Sequence, residues 1–477
     1  MSTWPAKSLL LVCAVATAAL TPRPAAAYEF LVESETIGDV YQLVTSGNDV
    51  LNRRKLHEYL GLSMWDITGH DEQRLSVRTL FRFDADFGLS DAEVADTSLR
   101  RDSMTMQFAY IEGHDLLGGY FDFKLGRHLK ADAIDYLVLD GATVAIGTPL
   151  HVALELEGGK EVKADLWSLN ANNQMETDGT RLIRYHGDQP ADAAMNALSD
   201  ETFAAAVTSW VVGAWLVTRD INYAQYKIGY RRIFSGGAVD SEKIAGAFRQ
   251  RIVDGVDISG VASWDLFNGR FDRLEAKAKW RITDWTEVEA EYVRTLPSFD
   301  ADSIWNIFTA FAQNDVNVHW RLYPSDQDRV SLGGMFRLYG NEAYIDGEVT
   351  APVNTVVQAW GADAGYSHGF GKNGLCGRFT ADFSLEGGYG GSRMLAGLGA
   401  AWSIVPRRWE LDGRVTAVDI DDEYQSNLHA FSFGYELGAR YLIDKRAAFA
   451  VTAEHNMNRL NNQQFRVFAL VDLALWL

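Results

Sequence analysis

The sequence is poor in cysteine, in proline and in long apolar segments, and each shortage narrows the possible folds. It has two cysteines and nine prolines in 477 residues. Cys13 lies in a leader that we expect to be removed, which would leave Cys376 without an intrachain disulfide partner. Apart from that leader, the longest apolar run is residues 203–217, which is too short for a membrane helix of about 20 residues. No proline-rich or serine-rich linker divides the chain, so we expect one continuous domain.

Basic residues are also scarce. The chain has 44 lysines and arginines against 64 aspartates and glutamates, for a formal net charge of -20. Proteins that bind nucleic acid neutralise phosphates with lysine and arginine. The charge balance therefore argues against a nucleic-acid partner.

The first 27 residues have the order of a secretory signal peptide. Lys7 precedes an apolar run over residues 8–20, and three alanines at positions 25–27 provide a small-residue cleavage site. We therefore expect residues 1–27 to be removed and residues 28–477 to be the mature chain. Acylation at Cys13 is disfavoured because Val12 is larger than the residue that normally precedes a lipidated cysteine.

The rest of the chain repeatedly alternates apolar and polar residues with a period of two. In residues 431–443, for example, an apolar or aromatic residue occupies every odd position. Segments of about ten such residues separated by short turns and longer polar stretches are typical of transmembrane strands. We predict an all-β, closed antiparallel transmembrane β-barrel of about 18 strands (16 to 20), with long loops near 86–102, 158–202 and 341–352. A soluble antiparallel protein also alternates, but the leader and the aromatic residues near strand ends favour the bacterial outer membrane.

The carboxyl-terminal strand, residues 465–477, has seven apolar residues on one face. At a free sheet edge in water such a strand would promote aggregation, whereas in a barrel it pairs with the first strand. The pattern resembles the signal that the barrel-assembly machinery reads, although the chain ends in Leu477 where Phe or Trp is usual. The resemblance implies that this machinery is a partner. The apolar face of the strand implies contact with outer-membrane lipid.

A second pattern consists of the sequence Phe-Lys-Leu-Gly-Arg at residues 123–127 followed by Leu-Asp-Gly-Ala-Thr-Val at residues 139–144. It resembles a motif of porin-like outer-membrane barrels, including the alginate-export type, with His128 where glutamine is common. The resemblance implies a channel, and for the alginate-export type an anionic polysaccharide as the solute. On the residues alone, Gly126 could instead simply end a strand and place Arg127 at the barrel rim.

The candidate functional residues form a charged ladder. One face of residues 273–281 is basic, and the matching face of residues 287–291 is acidic. A hairpin around residues 283–285 would place Lys277 opposite Glu291, Lys279 opposite Glu289, and Arg281 opposite Glu287. An arginine or lysine on the lipid face would cost about 2 to 4 kcal/mol at the midplane, so we expect the charges of the ladder to line the lumen. The predicted pore-lining residues are Arg273, Lys277, Lys279, Arg281, Glu287, Glu289, Glu291, Arg321 and Arg337.

These features favour a porin-like channel that passes small solutes or a polymer through a charged lumen. The alternatives are a non-conducting structural or adhesive barrel, in which residues 158–202 could bind a partner or fold into the lumen, and a barrel enzyme. No histidine lies in a recognisable catalytic or metal-binding spacing, so we expect no catalytic residue, metal or cofactor. A TonB-dependent receptor would need a plug domain before a 22-stranded barrel, which 477 residues do not accommodate.

Overall fold

The computed structural model describes most of the chain from Glu29 to Trp476. The residues described are 29–44, 50–65, 67, 74–88, 90–91, 102–162, 209–219, 221, 223–235, 238–296, 310–345, 348–349, 357–372, 375–389, 391–405, 408–422, 430–444, 446–458 and 463–476. The expected signal peptide, Leu477 and most of the expected loops near 86–102 and 158–202 lie outside these residues. The expected loop near 341–352 is partly wrong, because residues 341–345 continue the strand that begins at Asp328 and residues 348–349 pair with its end.

The described residues form strands almost throughout. One four-residue helical turn, α1, covers Leu116–Gly119. The strands are β1 (Glu29–Val44), β2 (Val50–Trp65), β3 (Arg74–Asp86), β4 (Asp102–Asp115), β5 (Phe121–Ala131), β6 (Tyr136–Gly147), β7 (Val152–Glu161), β8 (Ser209–Thr218), β9 (Ala224–Ser235), β10 (Ala238–Val253), β11 (Val256–Asp265), β12 (Arg270–Thr283), β13 (Thr286–Thr295), β14 (Ala310–Leu322), β15 (Asp328–Ile345), β16 (Glu348–Val349), β17 (Val357–Lys372), β18 (Leu375–Gly388), β19 (Gly391–Val405), β20 (Trp409–Asp422), β21 (Ala430–Leu442), β22 (Ala447–Met457) and β23 (Gln464–Trp476).

Twenty-two of these strands form a closed antiparallel barrel, and the two-residue β16 only extends β15. The predicted closed all-β barrel is confirmed, and so is the pairing of the last strand with the first, where Val471 lies opposite Thr36. The predicted number of about 18 strands is wrong. The two-residue turn between β10 and β11 does not interrupt the alternation, so a count based on alternation alone joins these strands, although the turn residues, Asp254 and Gly255, are a hairpin signal.

Each strand presents one apolar and one polar face, as the alternation predicts. The apolar faces are exposed: Trp320, Leu398 and Leu437 are 45%, 55% and 62% exposed, whereas charged side chains on the other faces pack against one another. An exposed apolar band around a closed barrel is the surface that contacts lipid. The charged faces therefore point into the lumen.

The two ends of the barrel differ in the length of their connections. One end has both chain termini of the barrel and short turns, among them 254–255, 284–285 and 373–374. The other end has the long connections 87–101, 162–208, 296–309 and 346–356. In outer-membrane barrels the short turns are periplasmic and the long loops external, so we refer to these ends as the inner and the outer end.

One ladder is much shorter than the others. Strand β5 pairs with β4 only where Phe123–Arg127 faces Ala109–Gly113, although both strands continue towards the outer end. Pairing of β6 with β7 likewise stops at Leu139 opposite Glu161, followed by one hydrogen bond from the Val162 N–H to the Val138 carbonyl. The tip of the β5–β6 hairpin, residues 128–138, therefore leaves the barrel wall.

Candidate functional site

The charged ladder on β12 and β13 has the register that the sequence predicts. Lys277 lies opposite Glu291, Lys279 opposite Glu289, and Arg281 opposite Glu287, around a turn at 284–285. The ion pairs themselves are diagonal. Lys277 Nζ lies 2.7 Å from Glu289 and Lys279 Nζ lies 2.8 Å from Glu287. The predicted register is confirmed, but each lysine pairs with the glutamate two residues closer to the turn than the one directly opposite.

Strands β14 and β15 extend this ladder. Arg321 Nη1 donates to Glu287 at 2.9 Å and to Glu289 at 3.1 Å, so it links β14 to both glutamates of β13. Arg337 forms a two-point contact with Asp315, at 2.8 and 3.0 Å, a partner that the sequence reasoning did not name. These interdigitated charges fix the register of the wall at this side of the lumen.

The remaining predicted residues lie at the edges of the ladder. Arg273 contacts Glu275 on its own strand at 2.5 Å. Glu291 accepts a long hydrogen bond from the Asn317 amide at 3.5 Å. Arg281 lies beside the inner-end turn, where its backbone N–H donates to the Gly255 carbonyl at 2.7 Å. The structure thus gathers all nine predicted residues on four adjacent strands.

The adjoining sector of the wall, β17 to β23, carries charged side chains that are more exposed than the glutamates of the ladder. Some of these side chains are paired: Arg414 donates to both oxygens of Asp382, at 3.0 and 3.1 Å, whereas Arg440 and Asp472 lie 3.8 Å apart. Such side chains face open space and not a filled interior. Their side-chain exposures are 44% for Asp363, 36% for Asp382, 53% for Arg414, 47% for Glu410, 42% for Arg440 and 45% for Asp472.

The tip of the β5–β6 hairpin lies against the inner surface of the wall. Ala133 and Ile134 pack with Trp215 of β8 and Ala245 of β10, all nearly inaccessible to solvent. A second cluster joins Leu137 and Leu139 to Val211 and Ile233. Since β7 separates β6 from β8 in the sheet, these contacts require the hairpin to fold inward over its neighbours. It forms a second layer that narrows the lumen.

A buried arginine fastens this second layer. The Arg231 side chain, on the inner face of β9, is 2% exposed. Its guanidinium contacts Asp132 and donates to Asp135 at 2.5 Å, both in the hairpin turn. Nε donates to Glu157 of β7 at 2.8 Å. Three carboxylates around one planar guanidinium satisfy most of its donors and hold the turn to the wall.

Lys130 adds a second contact between hairpin and wall. Its ammonium contacts both Glu155 and Glu157 of β7 and lies 5.6 Å from the centre of the Trp215 ring. In the turn itself, burial raises the pKa of Asp132 above its usual range; Arg231 opposes this shift and the nearby Asp135 carboxylate adds to it. Arg231 therefore provides the positive charge that compensates the carboxyl groups of the turn.

The motif at residues 123–127 and 139–144 forms the bend of this hairpin. Gly126 and Gly141 lie opposite each other, and Gly126 has a φ of 117°. A Cβ on Gly141 would lie 2.1 Å from the Gly158 carbonyl oxygen, so the strands cross too closely for a side chain. Arg127 clamps the bend with a two-point contact to Asp140 at 2.7 and 2.8 Å. Sequence reasoning placed these residues near a strand end and missed the inward hairpin.

Metal-binding groups and membrane-spanning helices were sought among the described residues. Within them, no three His, Cys, Asp or Glu side chains are arranged to hold a metal ion. In the same part of the chain, no helix has the length and apolarity to cross a membrane. His128 is held by the Thr143 hydroxyl and the Gly126 carbonyl, each at 2.9 Å.

Comparison with known proteins gives likenesses of fold only. No family model and no curated protein matches the sequence. Several solved structures of outer-membrane proteins resemble the chain. The outer membrane protein opdK from Pseudomonas aeruginosa has 7% identity and a TM-score of 0.43, with 94% of this chain and 99% of that chain covered. OccAB3 from Acinetobacter baumannii has 8% identity and a TM-score of 0.44, with 95% and 100% covered.

A BenF-like porin from Pseudomonas fluorescens Pf-5 has 8% identity and a TM-score of 0.45, with 94% of this chain and 99% of that chain covered. Because these identities and TM-scores are low, a functional conclusion must be based on the residues of this barrel itself.

Proposed function

We propose that the protein is an outer-membrane channel that passes small solutes through a charged, water-filled lumen. The observation that carries the proposal is the exposure of the inward charges on β17 to β23, such as Arg414 at 53% and Asp363 at 44%. Charges that plugged a narrow barrel would be packed against partners. Their exposure supports an open interior over the non-conducting alternative.

Barrel size supports the same proposal. Barrels of 16 to 18 strands already enclose an aqueous channel, and the diameter grows with strand number. This barrel has 22 strands, and its inward hairpin covers the sector of β7 to β11 only. The ladder with Lys277, Glu289 and Arg321 then borders the free part of the lumen and acts on solutes through its electric field. The proposal includes no catalytic step and no cofactor.

Planar-bilayer conductance of the folded barrel tests the proposal, with the reversal potential measured in a salt gradient. Neutralising two lysines of the ladder, in K277Q/K279Q, is expected to shift the reversal potential towards cation selectivity because positive charge is removed from the pore wall. The matched variant D363N/D382N removes two exposed lumenal acids and is expected to shift it the opposite way. Folded, heat-modifiable protein that conducts no ions would overturn the proposal and favour a structural or adhesive barrel.

A further inference from the structure

The inward fold of the β5–β6 hairpin leaves one strand without its neighbour. Within the described residues, Asp102–Phe108 of β4 pairs only with β3, because β5 pairs no further than Arg127. Beyond the last backbone pair, Arg127 opposite Ala109, a hydrogen bond of 2.9 Å from Arg127 Nη1 to the Met106 carbonyl connects β5 to β4. A bulge at Gln107 shifts the register of this part of β4 against β3.

This edge of β4, which has no strand partner among the described residues, lies in the outer half of the barrel wall. Strand β4 begins at Asp102 directly after the long connection 87–101, and β5 ends at the same end of the barrel. Backbone groups without partners are not tolerated against lipid hydrocarbon, but they are found where backbone lines a cavity. The edge of β4 therefore borders a space that is continuous with the lumen.

The side chains around this space are mostly apolar. Met104 is 56% exposed on the outer face of β4, where it lies opposite Phe83. On the hairpin, His128 and Lys130 are buried on the face that packs against the wall, so Leu129 and Tyr136 are on the other face. They are 48% and 52% exposed, although the hairpin lies inside the barrel. The charged group beside them, Arg127, is neutralised by Asp140.

We propose that the barrel wall is open between β4 and β5 in its outer half, and that this opening passes apolar solutes of the hydrocarbon-chain class between the lumen and the outer leaflet. The inference rests on the proposed channel, whose solutes it specifies. Leu129 and Met104 form its two sides, and the Arg127–Asp140 pair closes its inner end. An ordinary porin wall, with every strand paired along its length, would admit solutes only at the mouths.

Photo-crosslinking from a benzophenone amino acid tests whether lipid reaches the opening. The label replaces Leu129 in the full barrel reconstituted in phospholipid vesicles, and lipid adducts are counted by mass spectrometry. Leu398, on the lipid face, and Thr380, which alternates with exposed Phe379 on β18 and so faces the lumen, are the controls. Adduct yield at position 129 is expected to approach that at 398. A yield as low as that at 380 would overturn the inference.

Uptake of the apolar fluorophore N-phenyl-1-naphthylamine into intact cells tests passage itself. The barrel is expected to accelerate uptake, and L129E to slow it about tenfold, which corresponds to about 1.4 kcal/mol of lost apolar contact. T380E, on the far side of the lumen, is the matched control, and heat-modifiable mobility confirms that each variant folds. Equal uptake by L129E and T380E would overturn the inference. Conductance without lipid adducts at 129 overturns the opening alone, whereas adducts without conductance support the opening and overturn the channel.

Discussion

Arg231→Met removes the cation that fastens the hairpin turn to the wall. The Arg231 side chain is 2% exposed, and the Asp132 and Glu157 side chains are fully buried. Loss of one partner from a buried ion cluster costs about 3 to 5 kcal/mol because the remaining charges lack compensation. Lys130 stays on Glu157, so the cost falls mainly on Asp132 and Asp135. We expect the free energy of unfolding in urea, measured in lipid vesicles, to fall by about that amount.

Arg414→Met is the matched control. Its ion pair with Asp382 also lies on the lumenal face of the wall, but the two side chains are 53% and 36% exposed. Ion pairs that are this exposed contribute about 0 to 1 kcal/mol. The triple variant D132N/D135N/R231M is expected to recover part of the loss, since removing both signs of charge leaves no isolated ion. If R231M destabilised the barrel no more than R414M, the account of the buried cluster would be refuted.

Two further substitutions test the bend and the closing strand. Gly126→Ala places a Cβ 2.3 Å from the Ala109 carbonyl oxygen at a positive φ, so we expect a loss of about 1 to 3 kcal/mol in the same urea assay; Gly334→Ala, where a Cβ meets nothing within 4 Å, is the control and is expected to have little effect. Leu475→Lys puts a charge on the lipid face, where Leu475 is 52% exposed, and is expected to prevent the heat-modifiable folded form, whereas Ala474→Lys on the opposite face of the strand is expected to permit it. A folded L475K barrel would contradict the assignment of the faces.

The sequence predicts features that depend on two-residue periodicity and on short turns. The register of β12 against β13 is predictable because three basic positions on one strand match three acidic positions on the next at the same two-residue spacing. The bulge at Ile282, beside the turn at 284–285, supplies the one-residue shift that places them opposite each other. The pairing of β23 with β1 follows from an apolar face that only a closed barrel can shield at the chain end. Alternation alone undercounts the strands, because periodicity continues through a two-residue turn. At 254–255 the Asp-Gly pair, which favours a hairpin, is the sequence signal that separates β10 from β11.

The inward hairpin is not predictable from alternation, because a period of two separates the faces of a strand without identifying what each face contacts. His128 and Lys130 occupy positions that would point into water in a simple barrel, yet both are buried against the wall. A signal was present in residues 137–139, three successive apolar residues that break the alternation at the start of β6. The facing glycines 126 and 141 are the other trace of the bend.

Narrowing of the lumen and opening of the wall are two results of one rearrangement. The hairpin that covers the inner face of β8 and β9 is the same segment that β4 lacks as a neighbour. Releasing it, as R231M is expected to do, would widen the lumen and allow residues beyond Arg127 to pair with β4. Ion conductance is then expected to rise while lipid adducts from position 129 fall. A variant that changed one without the other would show that the hairpin does not couple them.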